Sequence, residues 1–157
     1  MKYKENIFHY PTPDDATGFL LYKTYMLWQR AIRRRLQPMG LTHTQFVIMA
    51  NCYRLQGTQG VVTQIDIARL AQMDTMMISN VIRKLEGKGL VQREAHRTDT
   101  RAKTVALTEE GVTVLKRAVR EVEEFDRAYF AKLEDSRRFN RELLRLMADT
   151  DTTEQQR

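Results

Sequence analysis

Apolar and polar positions follow a helical period most clearly between residues 74 and 87. At about 100° per residue, four apolar side chains fall on one narrow stripe, which predicts an amphipathic helix packed on a core. Asp74 is suited to cap the start of this helix, and Gly87 and Gly89 are suited to end it. The opposite face is polar and carries no acidic residue, so it is free to meet another molecule. The apolar stripe consists of Ile78, Val81, Ile82 and Leu85.

A second, shorter helix is predicted directly before it. Thr63 is the expected N-cap, with Asp66 three residues later. Only Gln72 and Met73 connect the two helices, and so short a connection forces a sharp crossing that a small Ala68 accommodates. The pair therefore predicts a helix-turn-helix. One side of the shorter helix holds the apolar residues Ile67, Ala68, Leu70 and Ala71.

Two segments with alternating apolar and polar residues follow, at 90–94 and 103–107. The polar sequence HRTDTRA at 96–102 separates them. This pattern predicts a β-hairpin with a basic tip, that is, a wing. Val61 and Val62 are predicted to form a short strand that pairs with the wing.

The rest of the chain predicts further helices around this central part. Residues 1–13 are predicted to form an irregular arm, because Pro11 and Pro13 oppose a helix. The predicted fold class is therefore mostly α with a small β-wing. The flanking helices are predicted from Asp14 to Leu36, from the T-x-x-Q capping box at 42–45 to Gly57, from Thr108 to about residue 132, and after Asp135.

Length and charge narrow the possible functions. The 157 residues suit one domain, and a hydrophobic content of 42% is enough for a core. Residues 1–107 hold 16 Lys and Arg against 8 Asp and Glu, whereas residues 108–157 hold 10 against 12. A basic surplus of this kind is compatible with a nucleic-acid partner but does not establish one. We interpret the three arginines at 33–35 as compensating the helix dipole on a solvated face.

The few cysteines and histidines offer no reactive centre. Cys52 is the single cysteine and falls in a predicted buried helix, where it is interpreted as a core residue. His9, His43 and His96 lie in separate predicted elements, so no catalytic site, metal site or cofactor is predicted and an enzyme is not expected. No apolar run reaches the length of a signal peptide or membrane span, so a cytoplasmic protein without a membrane partner is expected.

Several motifs resemble those of the multiple antibiotic resistance regulator (MarR) family of winged-helix transcription factors. The wing carries D-x-R followed by L-T, here Asp99, Arg101, Leu107 and Thr108, and continues into EEG at 109–111. The sequence RKLEGKGLVQR at 83–93 is similar to the family's recognition-helix end and first wing strand. GLTHTQF at 40–46 is similar to the start of its second helix. The resemblance covers nearly the whole chain.

This resemblance implies an architecture and a function. It implies a single domain over 1–157, with a winged helix-turn-helix DNA-binding lobe at 60–108 and dimerisation helices at 1–38 and 109–150. The homodimer is expected to place two recognition helices about 34 Å apart on a double-stranded, pseudo-palindromic operator. We expect a repressor that a small aromatic or phenolic effector releases. The alternatives are a winged-helix module that binds protein and a regulator without an inducing ligand.

In the wing, the resemblance implies that Arg101 contacts the minor groove or phosphates. Asp99, two residues earlier, is expected to orient its guanidinium, and Arg97 is expected to add a phosphate contact. A local ion pair that only stabilises the turn is the alternative interpretation of Asp99 and Arg101.

In the recognition helix, Asn80 suits adenine and Arg83 suits guanine, while polar residues of the first turns suit phosphate. Met76 and Met77 suit thymine methyl groups, although core filling explains Met77 equally well. The family usually has small polar residues near these methionines, so the base preference is not implied. The predicted DNA-binding residues are Thr75, Met76, Met77, Ser79, Asn80, Arg83 and Lys84 in the helix and Arg97, Asp99 and Arg101 in the wing.

An effector site is predicted between the first two long helices. A planar anion would stack on Trp28 or Tyr53, and its carboxylate or phenolate would meet His43 or Arg30. Core packing explains Met49 and the neighbouring Phe46 equally well. The predicted effector-binding residues are Tyr25, Trp28, Arg30, His43, Met49 and Tyr53.

Overall fold

A computed structural model describes residues 7–95 and 103–153, with side chains as far as residue 148. The prediction of a mostly α fold with a small β-wing is confirmed. The helices of these residues are α1 Thr17–Leu36, α2 His43–Gln59, α3 Gln64–Ala71, α4 Thr75–Gly87, α5 Glu109–Phe130 and α6 Ser136–Thr153. The strands are β1 Val91–Ala95 and β2 Lys103–Leu107, and short 3-10 turns lie at Pro13–Asp15 and Gln37–Met39.

The chain divides into two compact units, Met1–Val119 and Arg120–Arg157. The first unit holds a continuous apolar core that joins its helices to the sheet. Residues 7–12 form no regular element, as the prolines predicted. Among the described residues, no helix is long and apolar enough to cross a bilayer. Fully buried side chains of the first unit include Ile32, Leu36, Ile48, Met49, Cys52, Ile67, Ile78, Ile82 and Leu85.

The predicted helix-turn-helix consists of α3 and α4. The capping box at the start of α3 is present, because Thr63 Oγ1 accepts from the Asp66 amide and the Asp66 carboxylate accepts from the Thr63 amide. Gln72 turns the chain towards α4 in the left-handed region, at φ 49°. Of the apolar residues that the sequence places on one side of α3, Ile67 and Ala68 are buried, whereas Leu70 is 51% exposed. Its position in α3 turns it towards solvent, because α3 contributes only a narrow stripe to the core.

Helix α2 begins as predicted and ends later than predicted. Thr42 Oγ1 accepts from the Gln45 amide, and Gln45 Oε1 accepts from the Thr42 amide, which completes the capping box. Gly57 does not end the helix. The helix continues to Gln59 and ends at Gly60, which adopts φ 77°. A glycine permits a helix end but does not require one.

The two wing strands are antiparallel, with Val91 opposite Leu107 and Ala95 opposite Lys103. The predicted strand at Val61 and Val62 is absent. The amide of Val105 donates to the carbonyl of Val62 at 2.8 Å, and the adjoining Thr63 forms an isolated bridge with Thr104. The segment therefore contacts the wing as predicted, but through a single point, because α3 begins at the next residue.

The base of the wing is tied closely to the start of α5. Thr108 Oγ1 donates to the carbonyl of Gly89 at 2.6 Å and accepts from the amide of Gly111 at 2.9 Å. A Cβ at Gly111 would overlap the carbonyl of Leu90, so only glycine fits there. The L-T-E-E-G sequence thus has a structural role as the joint between wing and helix.

The second unit contains the end of α5 and all of α6. A series of ring contacts runs through it, from Phe125 to Tyr129, from Tyr129 to Phe130 and from Phe130 to Phe139, with centroids 5.2–6.3 Å apart. The Asp135 carboxylate accepts from the amide of Arg138 at 2.8 Å and caps the start of α6. The predicted helix after Asp135 is confirmed.

Candidate nucleic-acid interface

Helix α4 is held at its N-terminus by Asp74. One carboxylate oxygen of Asp74 accepts from the amides of Met76 and Met77, at 2.9 and 3.0 Å. These two bonds satisfy donors that an uncapped helix would leave exposed, a contribution of about 1 kcal/mol. The Asp74 cap therefore fixes the start of α4 at Thr75.

The two faces of α4 differ as the sequence predicted. Ile78, Ile82 and Leu85 are fully buried and attach the helix to the core of the first unit. On the other side the side chains reach solvent, and the acidic Glu86 lies next to the buried stripe. The exposed residues are Thr75, Met76, Met77, Asn80, Arg83 and Lys84, and Ser79 is half-buried beside them.

Arg83 has a partner within the helix. Its Nη2 donates to Ser79 Oγ, one turn earlier, at 3.3 Å. The bond leaves most of the guanidinium donors exposed, because arginine carries five N–H groups in a fixed fork. Arg83 is thus directed along the outer face of α4.

The C-terminal end of α4 is held by a lysine whose role no sequence pattern indicated. Lys88 Nζ donates to the carbonyl of Gly40 at 2.6 Å and to Gln45 Oε1 at 3.1 Å. Gly40 lies in the turn between α1 and α2, and the same Gln45 oxygen serves the capping box of α2. Lys88 therefore connects the end of α4 to the start of α2. We call these contacts the Lys88 bridge.

A second contact that the sequence did not predict joins α4 to the wing. Arg93 on β1 forms an ion pair with Glu86, and its Nε donates to Glu86 Oε2 at 2.8 Å. Hydrogen bonding from Arg93, and then its charge, hold the pKa of Glu86 below the usual value. Arg93 thereby compensates the negative charge of Glu86. Alternation along β1 places Arg93 on the same face as the buried Val91, but no local pattern specifies its partner on α4.

The tip of the wing lies outside the described residues. This applies to Arg97, Asp99 and Arg101, and to His96 beside them. The two strands that lead to the tip are described as far as the Ala95 and Lys103 pair. The prediction for the tip residues remains a prediction.

Aromatic side chains of α1 and α2 come together in the first unit. The Trp28 ring meets His43 edge-on at 5.1 Å between centroids, Tyr25 lies 6.4 Å from Trp28, and Phe46 stacks on His43 at 6.5 Å. We call these four residues the aromatic cluster. Of the other predicted effector residues, Met49 is a fully buried core residue, whereas Arg30 and Tyr53 are exposed.

Cys52 is fully buried, as predicted. Its thiol donates to the carbonyl of Val105 at 3.6 Å, and burial raises the pKa of the thiol to about 11. At neutral pH the thiolate, which is the reactive form, is therefore scarce.

Comparison with known proteins agrees with this arrangement. The MarR family model matches residues 41–103, the segment from the start of α2 to the second wing strand. An uncharacterized HTH-type transcriptional regulator of Bacillus subtilis, YdcH, is 37% identical over 119 residues, which cover 76% of this chain and 81% of that protein. An HTH-type transcriptional repressor of Mycobacterium bovis is 32% identical over 139 residues, covering 87% of this chain and 97% of that protein.

A solved structure has the same fold. The crystal structure of CouR from Rhodococcus jostii RHA1, bound to p-coumaroyl-CoA, is 26% identical, with a TM-score of 0.69 over 90% of this chain and 92% of that chain. These similarities, added to the helix-turn-helix and the antiparallel wing strands, establish that the chain belongs to the MarR family and is a DNA-binding transcriptional regulator rather than an enzyme.

Proposed function

We propose that the protein is a dimeric repressor that inserts α4 into the major groove of a pseudo-palindromic operator. The observation that carries the proposal is the outer face of α4, which is exposed, uncharged or basic along its length, and anchored from behind by Ile78, Ile82 and Leu85. A helix held this firmly can present side chains to base edges in a fixed register. The similarity to a transcriptional repressor of Mycobacterium bovis supports repression rather than activation.

Within this proposal the residues have different roles. Asn80 pairs with adenine and Arg83 with guanine, since each can make two hydrogen bonds to that base. Lys84, Thr75 and Ser79 contact phosphates. In the wing, Arg101 enters the minor groove, Asp99 orients it and Arg97 contacts phosphate.

Exposed apolar surface supports a homodimer. In the first unit, Phe8 and Tyr10 of the arm, with Phe19 of α1, line an apolar pocket of about 360 Å³. In the second unit, Leu144 and Leu146 of α6 are each 61% exposed. Apolar surface of this extent is typical of protein interfaces. We accordingly assign 1–38 and 109–150 to dimerisation and 60–108 to DNA binding.

The test of the proposal is selection of DNA from a random-sequence duplex library with the full-length protein. We expect an enriched sequence with two inverted half-sites, centred about one helical turn apart. The selected duplex should then shift in a gel with two protein chains bound. The upstream region of the protein's own gene is a second probe.

Two results would contradict the proposal. If no DNA sequence is enriched and the protein binds other proteins but not DNA, the alternative of a protein-interaction module is favoured. Enrichment of a single unpaired half-site by a monomer would contradict the dimer alone.

We further propose that a small aromatic anion binds at the aromatic cluster and releases the operator. Trp28 and His43 offer a ring surface with a titratable nitrogen beside it, which suits a planar acid. CouR, whose structure contains p-coumaroyl-CoA, supports an aromatic acyl ligand class. A tenfold loss of operator affinity requires about 1.4 kcal/mol of coupling between the two sites.

Trp28 is the single tryptophan of the chain, so its fluorescence reports on the cluster directly. Salicylate-like and cinnamate-like acids should quench Trp28 and displace the selected duplex over the same concentration range. If an acid quenches Trp28 but does not displace the duplex, the acid binds without affecting DNA binding. Neither effect, with any acid, would favour a regulator without an inducing ligand.

A further inference from the structure

Met76 is the most exposed large apolar side chain of α4, at 75%, against 43% for Met77. It lies opposite the buried stripe and shares a line with Asn80 and Arg83, four and seven residues later. A thioether donates no hydrogen bond and accepts only weakly, so it cannot read a polar base edge or hold a phosphate. Its chemistry suits an apolar partner.

In the first turn of α4, contact with DNA depends on side chains rather than on backbone amides. The amides of Met76 and Met77 are already bonded to Asp74, so they do not serve as phosphate donors. On the line that Asn80 and Arg83 share, the group that the first turn presents outward is the Met76 thioether. Its unbranched chain has three rotatable bonds and adapts to a neighbouring surface at little cost.

We propose that Met76 reads thymine through its 5-methyl group. That methyl is the one apolar group that unmodified base pairs present in the major groove. The helical rise places Met76 about 6 Å from Asn80 along the axis of α4, or about two base-pair steps. The inference rests on the proposed function, because it requires α4 in the major groove. It predicts a fixed thymine in each half-site, close to the base that Asn80 reads.

The same interaction makes a second prediction about modified DNA. The methyl group of 5-methylcytosine lies at the same ring position as that of thymine. A cytosine at the Met76 position should bind weakly, and its methylation should restore part of the affinity. The regulator would then respond to cytosine methylation at this one position.

The experiment removes one methyl group at a time. In the duplex selected with the full-length protein, each thymine is replaced in turn by deoxyuridine, which leaves the hydrogen-bonding edges unchanged. At one position per half-site, the wild-type protein should bind about fourfold more weakly, the effect of one buried methyl group.

Three variants connect that loss to Met76. Met76→Gln should bind the thymine and deoxyuridine duplexes equally, while Met76→Leu should retain the preference. Methionine, glutamine and leucine have similar helix propensities and the site is exposed, so both variants should fold, as circular dichroism will verify. Met77→Gln tests the other methionine that suits a thymine methyl group: Met77 lies about 100° around the helix, so this variant should keep the dependence on the methyl group that Met76 reads, whatever its effect on overall affinity.

The possible outcomes distinguish a failure of this inference from a failure of the proposed function. If Met76→Gln keeps the thymine preference, or Met77→Gln alone abolishes it, the inference is wrong and operator binding stands. The same holds if no deoxyuridine substitution weakens the wild-type protein. If the wild-type protein selects no sequence at all, the proposed function fails, and the inference with it.

Discussion

Arg83 and Lys84 are adjacent cations on α4, but their side chains differ in how the charge is held. Arg83 donates to Ser79 and presents a planar fork, whereas Lys84 ends in a single rotatable ammonium group. A fork suits two acceptors on one guanine, and an ammonium group suits a phosphate. The two residues therefore separate recognition of sequence from attraction to the DNA backbone.

This difference predicts different patterns of affinity loss when each residue is replaced. Arg83→Ala should cost about 1–3 kcal/mol with the selected duplex and much less with a scrambled duplex, so that specificity relaxes. Lys84→Ala should weaken both duplexes by a similar factor. Titrations of both variants against both duplexes at fixed salt measure the effect. Equal losses for Arg83→Ala on the two duplexes would show that Arg83 only contacts phosphate.

The wing tip gives a second prediction at this scale. Arg101→Ala should weaken operator binding strongly and lower the slope of log affinity against log salt by about one for each phosphate that the protein no longer neutralises. Asp99→Ala should have a smaller effect, because the cation remains and only its orientation is disturbed. Gel shifts over a series of salt concentrations measure both. Unchanged affinity for Arg101→Ala would contradict the DNA contact proposed for Arg101.

Residues that act on near neighbours in sequence were predictable. The caps made by Thr42, Thr63 and Asp74 each act within three residues, so a short motif contains both partners. The partners of Glu86 and Lys88 lie on other elements, and no local pattern specifies them. The residues expected on the outer face of α4 followed from helical period alone. Their interactions with DNA depend on a partner that the chain does not contain.

At the scale of elements, glycines show how far a sequence pattern can be trusted. Gly57 was predicted to end α2, yet α2 continues through it and ends at Gly60. Gly111, which the sequence indicated only as part of the EEG motif at 109–111, is confined by the carbonyl of Leu90. The first error arises because a glycine fits inside a helix at modest cost. The second feature depends on the approach of the wing to α5, which only the folded structure reveals.

These two glycines should respond in opposite directions to the same substitution. Gly111→Ala should destabilise the protein by about 3 kcal/mol, because the wing base must move away from α5. Gly57→Ala should stabilise it by about 0.5–1 kcal/mol, since a Cβ there meets nothing within 4 Å and alanine favours the helix. Urea unfolding followed by circular dichroism measures both changes. A neutral Gly111→Ala would mean that the wing joint relaxes freely.

At the scale of the whole molecule, two carboxylates make the stability of the folded protein depend on pH in the acid range. Hydrogen bonds from Thr63 hold the pKa of Asp66 below its ordinary value of 3.8, and Arg93 holds that of Glu86 below 4.5. A group with a lowered folded pKa stabilises the protein fully above its unfolded pKa, and the contribution disappears as the pH falls through the folded pKa. Both contributions are therefore intact at neutral pH and are lost on the acid side.

The variant Asp66→Asn with Glu86→Gln should consequently lose less thermal stability between about pH 5 and pH 3 than the wild-type protein. At pH 7 it should be the less stable of the two. Glu124→Gln, on an exposed position of α5, controls for the removal of negative charge. Thermal unfolding across this pH range measures the difference. Parallel curves for the double variant and the wild type would assign acid sensitivity to other groups.

The Lys88 bridge also bears on the order in which the chain folds. The capping box of α2 closes over three residues, while the hydrogen bond between Lys88 and Gln45 spans 43. The same Gln45 oxygen therefore gains its first partner as soon as α2 starts and its second after a long loop has closed. If that closure follows the rate-limiting step, Lys88→Ala speeds unfolding and leaves the folding rate nearly unchanged. Stopped-flow folding and unfolding rates across a denaturant series distinguish this order from one in which the bridge forms early and slows folding when removed.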